Sequence, residues 1–147
     1  MKYITTDNLT AINYGDGNIK LQIYNKHKCS VVAIQEIPMN KTDKYGIITG
    51  NLIDNLKNIY HVSDLVEKPD KTNAPSNLAI IGRYILTPDI FQILKKIKPD
   101  INGEIQITDA LKIQAQKNKV IAYKFKGKRF DCGSVEGYLD AINHYAE

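Results

Sequence analysis

Apolar positions along the chain fall into two regimes, and the switch between them marks the elements. Ser30 to Ile37 is a β-branched apolar run that predicts a strand, buried at least at its start. Pro38 stops it, because proline cannot donate to a central ladder. Tyr45 to Thr49 and Ser63 to Glu67 read as two further short strands, the latter ended by Pro69. Leu78 to Leu86 is an apolar strand interrupted by Gly82, and Val120 to Phe125 is another, turned by Gly127-Lys128. Between these runs the period lengthens to that of a helix. Asn18 to Lys28 places Ile19 and Ile23 one turn apart. Thr87-Pro88 has the form of an N-cap and a first helical position, opening a helix with Ile90, Leu94 and Ile97 on one face. Another helix is expected from Ile107 to about Lys117. The last starts at Ser134, and its Val135, Tyr138, Leu139, Ile142 and Tyr145 follow amphipathic spacing.

The intervals are polar. Asn51 to His61 reads as a weakly patterned connection, and Asp70 to Asn77, with Pro75 inside it, as a loop. Residues 1–15 have no firm period and are expected to be a loop or a frayed end. With the turn signal Tyr14-Gly15-Asp16-Gly17, residues 1–17 form a poorly defined N-terminal segment, and 18–147 the organised part. Strands and helices alternate, which predicts an α/β fold with a mixed sheet flanked by helices.

Composition narrows the class. A length of 147 residues with 43% hydrophobic positions suits one domain with a real core. No stretch nears the ~20 apolar residues that span a bilayer. No signal-like N-terminus is evident, so the cytoplasm is the expected location. Cys29 and Cys132 are too few for a disulfide framework and lack zinc spacing. They form no constellation with His27, His61 or His144; Cys29 is expected in the core and Cys132 in packing. The net charge of +4 is carried by scattered lysines interleaved with acids. Without a basic helix face or a stacking pattern, nucleic acid is not an expected partner.

Five short motifs, in order, carry most of the chemistry. They are Lys44-Tyr45-Gly46-Ile47, Leu65-Val66-Glu67-Lys68-Pro69, Ala74-Pro75-Ser76-Asn77-Leu78-Ala79-Ile80-Ile81-Gly82-Arg83-Tyr84, Gly103-Glu104-Ile105-Gln106-Ile107-Thr108-Asp109-Ala110, and Phe130-Asp131-Cys132-Gly133. From the residues alone, Glu67 and Lys68 end a strand, where α/β folds place ligands. A carboxylate accepts hydrogen bonds in several directions, and an ammonium is a compact charge for a phosphate. Both could equally be a surface pair. Gly46 could open space for a ligand or be an ordinary strand glycine. Ile80 and Ile81 look like core. Glu104 and Asp109 read as cap and loop brace, with Thr108 an equal candidate for the cap. Asp131 could cap the helix that follows it. Gly15-Asp16-Gly17 lacks the preceding strand, further glycines and basic residue of a phosphate loop.

From Ser30 to Ala146 the ordered series resembles the C-terminal half of bacterial UTP–glucose-1-phosphate uridylyltransferases. The resemblance implies a partial, Rossmann-like nucleotidyltransferase fold without its N-terminal nucleotide-binding half, residues 18–147 being its sugar-phosphate-binding part. It implies UTP and glucose 1-phosphate giving UDP-glucose and pyrophosphate. Glu67 would bind sugar hydroxyls, Lys68 the sugar phosphate as the catalytic cation, and Gly46 and Ile80 the sugar. Asp131 would hold Mg2+ together with an acid from the nucleotide half. The chain alone is then expected to be inactive and to expose apolar surface, met by a separate N-terminal half or by self-association. Two other readings stay open: another sugar-1-phosphate nucleotidyltransferase, such as a thymidylyl enzyme, or a non-catalytic sugar-phosphate-binding remnant.

Overall fold

A computed structural model describes residues 3–6, 9–12, 17–53 and 58–146, with side chains described from Lys20 onward. Seven strands, β1 (Tyr3–Thr6), β2 (Leu9–Ile12), β3 (Ser30–Glu36), β4 (Gly46–Leu52), β5 (Ile59–Glu67), β6 (Leu78–Leu86) and β7 (Val120–Lys124), form one sheet. The helices are α1 (Gly17–His27), α2 (Ile90–Leu94), α3 (Ile107–Ala115) and α4 (Val135–Tyr145), with a 3-10 turn over Met39–Lys44. The spatial strand order is β1-β2-β6-β3-β7-β5-β4. Among the described residues, only β3 and β7 run parallel; every other pair is antiparallel. The mixed sheet expected from the alternation is therefore present.

The two faces of the sheet sort by the two-residue period of a strand. Val31, Ile121 and Tyr123 pack with Ile23 of α1 and Ile85. Val32, Val120 and Ala122 face the other way, into a cluster with Ile48, Val62, Leu65, Ile90 of α2 and Ala110, Leu111 and Ala115 of α3. Ser30, Thr87 and Gln114 lie buried between β3, the end of β6 and α3. Gln114 Nε2 donates to Thr87 Oγ1 at 2.8 Å, and Ser30 Oγ donates to Gln114 Oε1 at 2.7 Å. The Thr87 amide donates to Ser30 Oγ at 3.0 Å. Buried hydroxyls and amides are tolerated because they satisfy one another.

Several boundaries differ from the sequence expectation. β1 and β2 form an antiparallel hairpin where a loop was expected, and β2 joins the edge of β6 through Thr10–Leu86 and Ala11–Ile85. Strands of four residues are too short to show a period, and edge addition uses backbone groups whatever the side chains. The turn expected at Tyr14-Gly15-Asp16 lies outside the described residues, and Gly17 begins α1. β4 and β5 run on into the expected polar connection, so Leu52 and Ile59–His61 are strand. Thr87 does not cap α2. The chain makes a turn first, with the Ile90 amide on the Thr87 carbonyl at 3.1 Å, and α2 starts at Ile90 after Asp89. Thr87's hydroxyl is already committed to the buried cluster. Among the described residues, no helix is long and apolar enough to cross a membrane.

Candidate functional site

The β4–β5 ribbon ends where Gly46 pairs with Glu67. One residue later Lys68 takes a left-handed φ of 43°, and its amide donates to the Tyr45 carbonyl at 3.0 Å. This turn and Pro69 end the strand and leave the Glu67 side chain at the mouth of the fold. There a cavity of about 380 Å³ opens, lined by Gly46, Glu67, Ile80 and Asp131 together with Tyr84, Gln106, Thr108 and Arg129. Four of the five residues singled out from sequence thus meet at one cavity. Lys68 is not in its lining. Its ammonium stands 3.6 Å from Glu67 Oε1, with the lysine side chain 54% exposed.

Glu67 is held by one hydrogen bond and faces one cation. Thr108 Oγ1, on α3, donates to Glu67 Oε2 at 2.5 Å, and Lys68 faces the other oxygen. Gly46 lies beneath this bond. A Cβ there would come 3.0 Å from Thr108 Oγ1 and 3.2 Å from Glu67 Oε2. The glycine therefore makes room first for the Glu67–Thr108 contact, which neither sequence reading of Gly46 anticipated. Ile80 is both core and cavity wall. Tyr84 lines the cavity as well, and burial, with a smaller contribution from the charge of Glu67, pushes its phenol up to about 12.

The far wall comes from the segment before α4. Arg129 lies over the Tyr45 ring at 5.2 Å, and its Nη1 donates to the Tyr45 hydroxyl at 2.9 Å. Its Nη2 is 3.8 Å from Asp131 Oδ2. Lys44, Tyr45, Arg129 and Asp131 also border a neighbouring cavity of about 350 Å³, which adds Lys41 and Lys128. Asp131 does not cap α4. Ser134 does, accepting from the Gly137 amide at 3.1 Å. The Asp131 carboxylate instead accepts from the Gly133 amide at 3.3 Å. A divalent metal at Asp131 was expected. Asp131 offers a single carboxylate, with the Arg129 guanidinium beside it, so a metal held there would need further ligands from outside the described residues. No group of three potential His, Cys, Asp or Glu ligands occurs among the described residues. Magnesium usually takes one or two carboxylates plus phosphate oxygens and water.

The loop before α3 is braced as expected by Glu104, with Asp100 and Gln106 as its partners in place of Asp109. Gln106 Nε2 donates to Asp100 Oδ2 at 2.9 Å and to Glu104 Oε2 at 3.1 Å. The Gln106 amide, with backbone bonds from Glu104 and Asn102, holds the Asp100 carboxyl below the usual range. Asp109 is exposed in the first turn of α3, and Thr108 reaches across to β5 instead of capping. Asn77 supports the loop through its carbonyl, which accepts from the Ile37 amide at 3.0 Å. Cys132 is exposed, not packed. Burial raises the Cys29 thiol, which donates to the His27 carbonyl at 3.2 Å. Arg129 and Tyr84 were not singled out from sequence. The available signal for Arg129 was one of two arginines in a lysine-rich chain, two positions before Asp131.

Comparison with known proteins agrees with this geometry. A nucleotidyl transferase family model matches residues 3–147. A UTP–glucose-1-phosphate uridylyltransferase of Pseudomonas aeruginosa PAO1 is 55% identical over 142 residues, covering 95% of this chain and 50% of that protein. The Bacillus subtilis 168 protein of that name is 41% identical over 123 residues, 84% of this chain and 41% of its own. A UDP-glucose pyrophosphorylase solved in complex with UDP-glucose superposes with a TM-score of 0.83 at 50% identity, covering 94% of this chain and 53% of that one. A UTP-bound UGPase from Acinetobacter baumannii gives 0.73 at 33% identity, covering 93% and 47%. The chain spans about half the length of these relatives. With the family matched across nearly every residue and the fold shared, the chain belongs to the nucleotidyl transferase family and resembles UTP–glucose-1-phosphate uridylyltransferases over about half their length.

Proposed function

We propose that this chain is the sugar-side part of a UTP–glucose-1-phosphate uridylyltransferase. The observation that carries the reading is the Glu67 carboxylate, fixed at a strand end in a cavity beside the Lys68 ammonium. In this reading Glu67 accepts hydrogen bonds from sugar hydroxyls, and Gly46 and Ile80 shape the ring's seat. Lys68 neutralises the sugar phosphate from the rim, and Arg129 supplies a second cation in the wall. An oxygen of glucose 1-phosphate attacks the α-phosphorus of UTP, and pyrophosphate leaves. The chain's residues bind and orient the nucleophile and offset its charge, which is the main work in phosphoryl and nucleotidyl transfer. A divalent cation would need ligands beyond Asp131, and no step here is assigned to it.

Recognition of UTP belongs to the other half of the relatives' length, so the 147 residues alone do not turn over UTP. Either the other half of the relatives' length or a second copy would cover the apolar stripe of α4, where Val135, Tyr138, Leu139, Ile142 and Tyr145 are all exposed. Pyrophosphate release is measured with and without the N-terminal half of a relative supplied in trans. Release by the pure chain would sink the requirement for a second half. A binding-only module is the rival favoured by the half-length match: it predicts glucose 1-phosphate binding and no release under either condition. Lys68→Ala should weaken phosphate-bearing ligands without lowering the melting temperature. Unfolding of that variant would make Lys68 structural.

A further inference from the structure

We propose that Thr108 is a positioning residue whose hydroxyl aims the Glu67 carboxylate at the sugar, an inference that rests on the sugar-phosphate reading of the cavity. Thr108 is only 4% exposed, and α3 is seated by Ala110, Leu111 and Ala115 in the core. Its place is therefore set by helix packing. A β-branched side chain has few rotamers, and the contact with Glu67 selects one of the two open to a helical threonine. That hydroxyl has one proton. α3 makes no side-chain cap bond at its start, and the Thr108 proton goes across to Glu67 Oε2 at 2.5 Å. A short bond to an ionised acceptor is among the stronger hydrogen bonds available to a side chain.

The consequence falls on the cavity. Glu67 is a long side chain at a strand end and 24% exposed, so without a restraint it would sample several rotamers. Thr108 takes one lone pair of Oε2. Lys68 stands off Oε1 at 3.6 Å, too far to fix it by a hydrogen bond. The remaining lone pairs are left at fixed positions for donors, which suits a ligand with adjacent hydroxyls next to a phosphate. Gly46 protects the arrangement, since a Cβ would crowd both bonded atoms. α3 has enough apolar contact to stay docked without this bond.

The test compares wild type, Thr108→Val, Thr108→Ala and Thr108→Ser of the full chain, titrated by NMR with two probes. Glucose 1-phosphate carries ring hydroxyls; methyl phosphate carries the same phosphate monoester with no hydroxyl. Loss of a bond to a charged group should cost Thr108→Val about tenfold or more in affinity for glucose 1-phosphate, and leave methyl phosphate within about twofold. Thr108→Ser, which keeps the hydroxyl, should recover most of the affinity. Thr108→Ala repeats the test if the valine variant folds poorly. Unchanged glucose 1-phosphate affinity in the hydroxyl-less variants overturns the inference alone. Equal weakening of both probes, or no rescue by serine, makes Thr108 a structural brace and overturns it too. A wild type that binds neither probe removes the sugar-phosphate reading itself, and the inference with it.

Discussion

Gly50→Ala sets two known effects against each other at a place where the structure decides the sign. Gly50 is interior to β4, and replacing a strand glycine by alanine normally stabilises by roughly 0.5–1 kcal/mol through reduced chain entropy. Here the new Cβ would stand 2.5 Å from the His61 carbonyl oxygen and 3.2 Å from both the His61 carbonyl carbon and Val62 Cα. Those atoms are backbone of the neighbouring strand and cannot rotate away. Relief requires β4 and β5 to separate by several tenths of an ångström where Gly50 pairs with Val62, at a half-buried position of the ribbon. Overpacking of this kind costs about 1–3 kcal/mol, and a weakened ladder bond adds ~1 kcal/mol. The balance is a loss of about 1–3 kcal/mol, or roughly 3–9 °C in Tm for a chain of this size. Urea unfolding followed by circular dichroism at fixed pH gives the number directly. A variant as stable as wild type, or more so, would show that the ribbon relaxes freely and that the contact argument is wrong.

Other outcomes follow from single contacts. Gln114→Leu removes two buried hydrogen bonds and should lower stability by about 2–4 kcal/mol in the same urea assay, whereas a neutral result would mean Ser30 and Thr87 re-pair at no cost. Tyr84 should titrate near 12 in absorbance at 295 nm. Its folded value lies above the unfolded ~10, so its contribution is complete below pH ~10 and fades as pH rises toward 12. Tyr84→Phe should flatten stability across that window, and an unchanged slope would assign the effect elsewhere. Gly137→Ala places a Cβ against the Asp131 carbonyl oxygen, so α4 should lose protection in hydrogen exchange despite alanine's better helix propensity; increased protection at Tyr138 would contradict this.

The sequence made β3, β6 and the last helix legible because each carries an apolar run or a periodicity over seven or more residues. β3 and β7 split their side chains between two cores, as alternation requires. β1 and β2 were not legible, because four-residue edge strands are fixed by backbone partners. Gly46, Glu67, Ile80 and Asp131 could be picked out from motif order. What could not be read was the traffic between them. Thr108 looked like a helix cap because Thr at a helix start usually is one. Its actual partner is 41 positions away in sequence, brought there by α3 crossing β5. Arg129 and Tyr45 are separated by 84 positions. Such pairs depend on tertiary placement, about which local propensity is silent.

The register of the ribbon shows how finely that placement is set. Thr49 pairs with Asp64, but Gly50 pairs with Val62, so Ser63 is an extra residue in β5. Its hydroxyl is tied to the Thr49 carbonyl at 3.2 Å. Continue the Gly50–Val62 pairing without that residue, and Val66 would stand opposite Gly46. Side chains alternate along a strand, so a slip of one residue would turn Glu67 to the opposite face and present a valine to Thr108. The one-residue bulge therefore brings the carboxylate, the glycine that makes room for it and the threonine that holds it to a single point. The opposite wall is assembled differently. Arg129 and Asp131 lead into α4, which has no buried residue, so that side of the cavity rests on a helix that the core does not anchor. On the proposed reading the sugar side is fixed by the sheet, and the phosphate side would be completed by the surface that packs on α4.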